Sequence, residues 1–211
     1  MFLASYRFGL HVDEFLALTS VASSNRIAII ASATDAWPEA ARASAVTSET
    51  RALAALGYEP FEIDLRRFRD HPEELATELD RVGTIWIRGG NTFVLRSQLA
   101  RCGGDEMIAS RVRDERLVLS GYSAGACVVS PTLRGIESAD DPADVVATGG
   151  EVRWDGLGLI DVAVIPHTGS VLDEFDSARS MVRRYEREKV EYLTLTDEQV
   201  IVVDGDRFER L

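Results

Sequence analysis

The 211-residue chain is poor in cysteine, in histidine and in positive charge, and each shortage narrows what it can be. Its two cysteines, Cys102 and Cys127, form neither a metal spacing nor a redox spacing, and two thiols in a chain this long make no disulfide framework. Cys127 reads as a small buried hydrophobe. No His/Cys/Asp cluster has ligand spacing, so neither a metal nor a cofactor is expected. Lys and Arg number 23 against 35 Asp and Glu, and the net charge of -12, with no basic cluster to offset it, argues against nucleic acid as a partner. No run approaches the ~20 apolar residues of a membrane span. The opening Met1-Phe-Leu-Ala-Ser-Tyr-Arg7 lacks the basic start and apolar core of a secretion signal, so the expected location is cytoplasmic, away from membranes. A full G-x-G-x-x-G fingerprint after the first strand and a P-loop lysine are also missing, which leaves nucleotide binding poorly supported. There is no internal repeat and no low-complexity tract.

What the chain does have is 45% hydrophobic residues, ample for a core, in an alternating arrangement. Apolar runs of strand length lie at 2–5, 26–31, 61–65, 84–88, 117–119 and 162–165. Helical patterns fall between them: 13–18, a long stretch from Pro38 to Gly57, 72–79, 92–99 and 106–113. A long amphipathic helix is expected over 172–188, then short β segments at 192–195, 200–203 and 207–211, the last two joined by an Asp-Gly-Asp hairpin turn. Strands alternating with helices predict an α/β fold of one domain, 1–211, built as a three-layer α/β/α sandwich around a mostly parallel, doubly wound sheet. Residues 134–150, rich in Asp, Ala and Gly and without period, read as a loop beside the active edge.

The most informative stretch runs from Leu117 to Cys127. Its apolar run meets Gly121-Tyr-Ser-Ala-Gly125, so that strand, sharp turn and helix follow in order with Ser123 at the apex, the context of a nucleophile elbow. The helix starting at Ala124 would turn its unpaired N–H groups and dipole toward an oxyanion beside Ser123. The alternative is a Gly-rich turn whose serine is only an N-cap. A serine needs a base, and of the three histidines only His167, after the 162–165 strand, sits on the rim where Ser123 is expected; His11 and His71 lie in weakly patterned or solvated positions. Glu137, Asp140 and Asp141 are the acids in reach to orient the imidazole. The Gly89-Gly90 pair at another strand end can bring a second N–H to the oxyanion, from Gly90 alongside that of Ala124.

Three motifs, Ile87-Arg-Gly-Gly-Asn-Thr-Phe93, Gly121-Tyr-Ser-Ala-Gly-Ala126 and Ile165-Pro-His167, in this order and at strand ends, resemble the peptidase E (aspartyl dipeptidase) family, relatives of the cyanophycinases. The resemblance covers roughly residues 26–203. It implies a fold like that of class I glutamine amidotransferases, Ser123 as nucleophile, His167 as general base and acid, and Gly90 with Ala124 as oxyanion donors. It implies Asp140 first, through Asp140-Asp141-Pro142, and Glu137 second as the third member of a triad. Serine at the elbow argues against glutaminase chemistry, and Asn91 in place of a glutamine tilts against cyanophycin as substrate. Preference for an N-terminal Asp is assigned by resemblance to Arg179, with Arg183 second; Arg88 beside the glycine pair is the other candidate for a substrate carboxylate, and Asn91 completes the substrate-binding set. The expectation is therefore a serine peptidase of short peptides, without metal or cofactor, monomeric or homodimeric. The alternatives are another serine acyl hydrolase (carboxypeptidase, esterase or amidase) and a binding protein that keeps the elbow as a relic.

Overall fold

The computed structural model describes residues 1–22, 24–172 and 176–211. Its frame is a seven-stranded sheet. The strands are β1 (Phe2–Ala4), β2 (Arg26–Ile30), β3 (Glu59–Glu62), β4 (Thr84–Ile87), β5 (Val118–Tyr122), β8 (Val200–Asp204) and β9 (Arg207–Arg210), in the order β3-β2-β4-β5-β1-β8-β9. The first five pair in parallel, whereas β8 runs antiparallel to β1 and β9 antiparallel to β8.

Side-chain alternation along these strands explains the layers. Ile27, Ile29, Trp86 and Tyr122 face one way, onto Phe15 of α1 (Val12–Thr19) and Leu53 of α2 (Glu39–Ala55). Ala28, Ile30, Ile85 and Ile87 face the other way, onto α3 (Pro72–Leu79), α4 (Thr92–Arg101) and α5 (Gly104–Arg113). A strand buried on both faces has no polar side to show, which is why β2 and β4 read as continuous apolar runs. The mixed α/β sandwich expected from the alternation is the fold observed. No described helix is long and apolar enough to cross a membrane.

Several elements depart from expectation. β3 begins earlier, because Pro60 is tolerated on an edge strand and Leu65 already belongs to a 3-10 turn. The helix after the elbow, α6 (Ala124–Cys127), is a single turn. Within the expected loop, residues 136–138 form a 3-10 turn and α7 (Asp144–Ala147) a second short helix. β6 (Ala163–Ile165) is not in the main sheet; it pairs in parallel with β7 (Tyr192–Thr194), and both pack on a third apolar cluster with α8 (Ser177–Glu188). The expected start of that last helix at 172 runs into 173–175, which lie outside the described residues.

Candidate active site

β2 leads on to β3 on one side and β4 to β5 on the other, so the carboxyl ends of β2 and β4 mark a switch point in strand order, where α/β sheets bind ligands. A cavity of about 430 Å³ opens there, lined among others by Arg88, Gly90, Ser123, Asp140 and His167.

Ser123 follows β5 directly and has φ +52°, a left-handed conformation that side-chain-bearing residues avoid unless their surroundings impose it. The surroundings do so through small residues. Gly89 lies against Ser123, where an added Cβ would come 3.0 Å from the serine Cβ, and Gly121 and Gly125 lie against the Ile87 carbonyl. The Ser123 N–H donates to Ala4 O at 3.1 Å, tying the turn to β1. The hydroxyl makes no capping hydrogen bond to α6, so the N-cap alternative leaves it unused. Its neighbour is His167, whose Nε2 lies 3.0 Å from Ser123 Oγ.

The carboxylate on the histidine is not one of those expected. His167 Nδ1 lies 2.7 Å from Asp197 Oδ1. Asp197 sits in the turn between β7 and β8, and since β8 runs antiparallel to β1, with Val200 opposite Ala4, that turn arrives at the rim where the parallel strands end. Ser5, just past β1, locks the pair: its hydroxyl accepts from the His167 backbone N–H at 2.8 Å and donates to Asp197 Oδ1 at 3.0 Å. The Ser170 hydroxyl donates to the other carboxylate oxygen. Partial burial pushes Asp197 upward, but the hydrogen bonds from Ser170 and His167 outweigh it and hold the acid below the usual carboxylate range.

Asp140 and Glu137 are occupied elsewhere. Asp140 lines the cavity, but its Oδ2 accepts from the Thr92 N–H at 2.8 Å, at the start of α4, and burial holds it above the usual range. Glu137 pairs with Arg184 on α8. Asp141 is spent on a local turn, its Oδ1 accepting from Ala143 N–H at 2.9 Å. Asn91 caps α4, accepting from the N–H groups of Phe93 and Val94 at 2.9 and 3.1 Å and donating to Asp141 O at 2.8 Å. Its side chain thus fastens the loop to the helix instead of facing the cavity. Arg179 and Arg183 are exposed, because α8 buries Ala178, Met181 and Tyr185, and residues one or two positions along lie on another face. Arg179 pairs with Asp176 at 3.1 Å. Arg88 does line the cavity.

Gly90 has φ +149°, and a Cβ there would fall 2.6 Å from Ala33 O. Among the described residues, neither its N–H nor that of Ala124, the first residue of α6, donates to a protein acceptor. With α6 only one turn long, these N–H groups, and not a helix dipole, are what it offers a developing negative charge. An alcohol, an imidazole and a carboxylate in series beside two open N–H groups can carry out acyl transfer. Asp197 escaped the sequence reading because Thr196-Asp-Glu-Gln199 looks like a solvated turn; only the direction of β8 brings it to the site.

Related proteins agree with this architecture. The chain is 31% identical over 126 residues to an uncharacterized peptidase of Listeria innocua, a match covering 60% of this chain and 57% of that protein. It is 30% identical over 151 residues to Peptidase E of Streptomyces coelicolor, covering 69% and 58%. The aligned stretch thus spans little more than half the length of these relatives. A crystal structure described as a putative peptidase E protein from Listeria monocytogenes superposes with a TM-score of 0.81 at 24% identity, over 100% of this chain and 96% of that one. The model of peptidase family S51 matches residues 5–211, which take in Ser123, His167 and Asp197 alike, and the chain belongs to peptidase family S51.

Proposed function

We propose that the protein is a serine-type peptidase that cleaves short peptides through an acyl-enzyme. The observation that carries this reading is the continuous hydrogen-bond series Ser123 Oγ, His167 Nε2, His167 Nδ1 and Asp197 Oδ1, at 3.0 and 2.7 Å, opening into the cavity. Ser123 attacks the scissile carbonyl while His167 takes its proton, and the Gly90 and Ala124 N–H groups receive the oxyanion. Asp197 holds the imidazole in the tautomer that presents Nε2 as acceptor and stabilises its charged form. His167 then protonates the leaving amine, and water, deprotonated by the same imidazole, releases the acyl group. A cavity of about 430 Å³ suits a ligand of a few residues. Preference for an N-terminal aspartate loses the support of Arg179 and Arg183, which point to solvent.

The test is mass-spectrometric digestion of a library of di- and tripeptides by the parent protein and by Ser123→Ala, with labelling by a small neutral fluorophosphonate alongside. Cleavage by the parent alone, with the label on Ser123, is expected. A folded parent that neither cleaves nor labels overturns the reading.

A further inference from the structure

A second cavity, of about 230 Å³, shares no lining residue with the catalytic one and opens between the C-terminal half of α4 and the segment that follows α7. Ser97, Ala100 and Arg101 line it from the helix, and Gly149, Gly150, Glu151 and Arg153 from the segment opposite. We propose that this cavity is a binding site for a small phosphate-bearing anion, held by Arg101, Arg153 and the Ser97 hydroxyl.

The positive charge there is unspent. Among the described residues, neither Arg101 nor Arg153 comes within ion-pair distance of a carboxylate, whereas Arg42, Arg96, Arg111 and Arg184 each hold one. Arg69 adds a third charge nearby. Its guanidinium is lowered, by burial first and by the charge of Arg101 second, and it too has no ion pair. Arg69 Nη2 donates to Gln98 Oε1 at 2.8 Å, and its buried Nε has no partner. Glu151, exposed, is the one acid among the lining residues, and it pairs with neither arginine. In a chain with 35 acidic side chains against 23 basic ones, two arginines that share a cavity and no acid are set to take an anion from solution.

The Ser97 hydroxyl points to the same conclusion independently. Ser97 is 1% exposed, and its Oγ has no hydrogen-bond partner. A helical hydroxyl ordinarily settles on the carbonyl four residues back, as those of Thr47, Thr50 and Thr77 do. Ser97 leaves that bond unmade and faces Gly150, where an added Cβ would fall 2.2 Å from its oxygen. A buried hydroxyl without a partner is costly, and an acceptor oxygen bound in the cavity removes that cost.

These donors select a tetrahedral oxyanion. Two guanidinium forks and a hydroxyl can serve three or four phosphate oxygens, whereas a carboxylate offers two oxygens in one plane and is met by a single fork. The volume lies below the roughly 300–1,000 Å³ of sites for drug-sized ligands, which suits an ion or a small monoester. Arg101 Nη1 also donates to Thr148 O at 2.7 Å, so a bound anion bears on the segment that carries Asp140 into the catalytic cavity.

The test is calorimetric titration of the parent protein near neutral pH with sodium phosphate, glycerol 3-phosphate and sodium acetate, each against sodium chloride of equal ionic strength, with Tm read in the same solutions. Phosphate or its monoester should bind about tenfold tighter than acetate and raise Tm, and the tighter of the two tells the free ion from a monoester. Arg101→Gln and Arg153→Gln should each weaken that binding about tenfold, and Glu151→Gln, which removes the opposing charge, should tighten it. Arg153 makes no hydrogen bond or ion pair among the described residues, so its variant should keep the parent's Tm in chloride. Ser97→Ala should hold or raise Tm in chloride and lose much of the increment that phosphate gives. Phosphate effects no larger than those of chloride, acetate binding as tightly as phosphate, or an affinity unchanged in both arginine variants overturns the proposal. No turnover is involved, so the outcome stands apart from the peptidase reading.

Discussion

His167 Nδ1 and Asp197 Oδ1 stand 2.7 Å apart, joined across 30 residues of chain and braced by Ser5 from the other end of the sequence. If Asp197 serves the imidazole, Asp197→Asn should lower kcat by about 10² to 10⁴-fold with little change in KM, since the amide favours the wrong tautomer. Asp140→Asn should leave kcat close to the parent. The two variants assayed side by side on the best peptide of the library decide between the acids; the reverse ranking would return the role to Asp140.

The same two carboxylates should respond oppositely to pH. Asp140 is raised above its unfolded value, chiefly by burial, so the stability it contributes is complete below about pH 3.9 and is lost as pH rises through its raised value. Asp140→Asn should therefore raise Tm at pH 7, and the gain should vanish near pH 4. Asp197 is lowered: burial pushes it up, but its hydrogen bonds win. Its contribution is present above about pH 3.9 and is lost as pH falls through its depressed value, so Asp197→Asn should lower Tm at pH 7 and converge on the parent in stronger acid. Thermal unfolding of the three proteins across pH 2–8 checks both signs.

The elbow makes a steric prediction. A methyl at Gly125 would meet the carbonyl oxygen of Ile87, backbone of the neighbouring strand that cannot swing aside. Gly125→Ala should destabilise the protein by about 1–3 kcal/mol, read as a lower urea midpoint with unchanged slope, and should misplace Ser123 enough to cut fluorophosphonate labelling in the fraction that remains folded. Unchanged stability together with unchanged labelling would mean that the turn is looser than drawn.

Most of this architecture is written in local sequence. Pro72 opens α3, the 84–88 run gives β4, and Gly121 to Gly125 give the elbow, because each depends on residues a few positions apart. The expected Ser123–His167 contact appears even though β6 pairs only with β7 and lies outside the main sheet. The elements that escaped depend on sheet order and strand direction. Nothing within ten residues of Asp197 marks it off from Asp140, which follows the more suggestive Asp-Asp-Pro pattern. The antiparallel pairing of β8 with β1 is what carries Asp197 to the rim. Arg179 and Arg183, candidates by resemblance alone, lie on the outer face of α8, because the helical phase set by Ala178, Met181 and Tyr185 turns them outward.

Glu49 joins helix α2 to the site through residues that precede its two special turns. It accepts from Tyr122, which leads into Ser123, and pairs with Arg88, which leads into Gly89-Gly90, while Trp86 Nε1–H fixes its remaining oxygen. Burial first and Glu49 second push the Tyr122 phenol upward, so it stays a donor at every working pH. One buried carboxylate therefore ties together the residues that lead into Ser123 and into Gly89-Gly90. Removing it with Glu49→Ala strands two hydrogen-bond donors and takes the ion-pair partner from Arg88, and should cost about 3–5 kcal/mol, seen in urea unfolding. Glu49→Gln keeps the volume and one acceptor, so it should fold, yet its NH₂ group faces a donor and drives the two turns apart. The expected signature is a kcat about tenfold lower with nearly parental KM, because the strain falls on the oxyanion geometry that matters in the transition state. Glu49→Asp, which restores the charge at a shorter reach, should recover part of the loss. A Glu49→Gln enzyme with parental kcat would reduce Glu49 to a packing role.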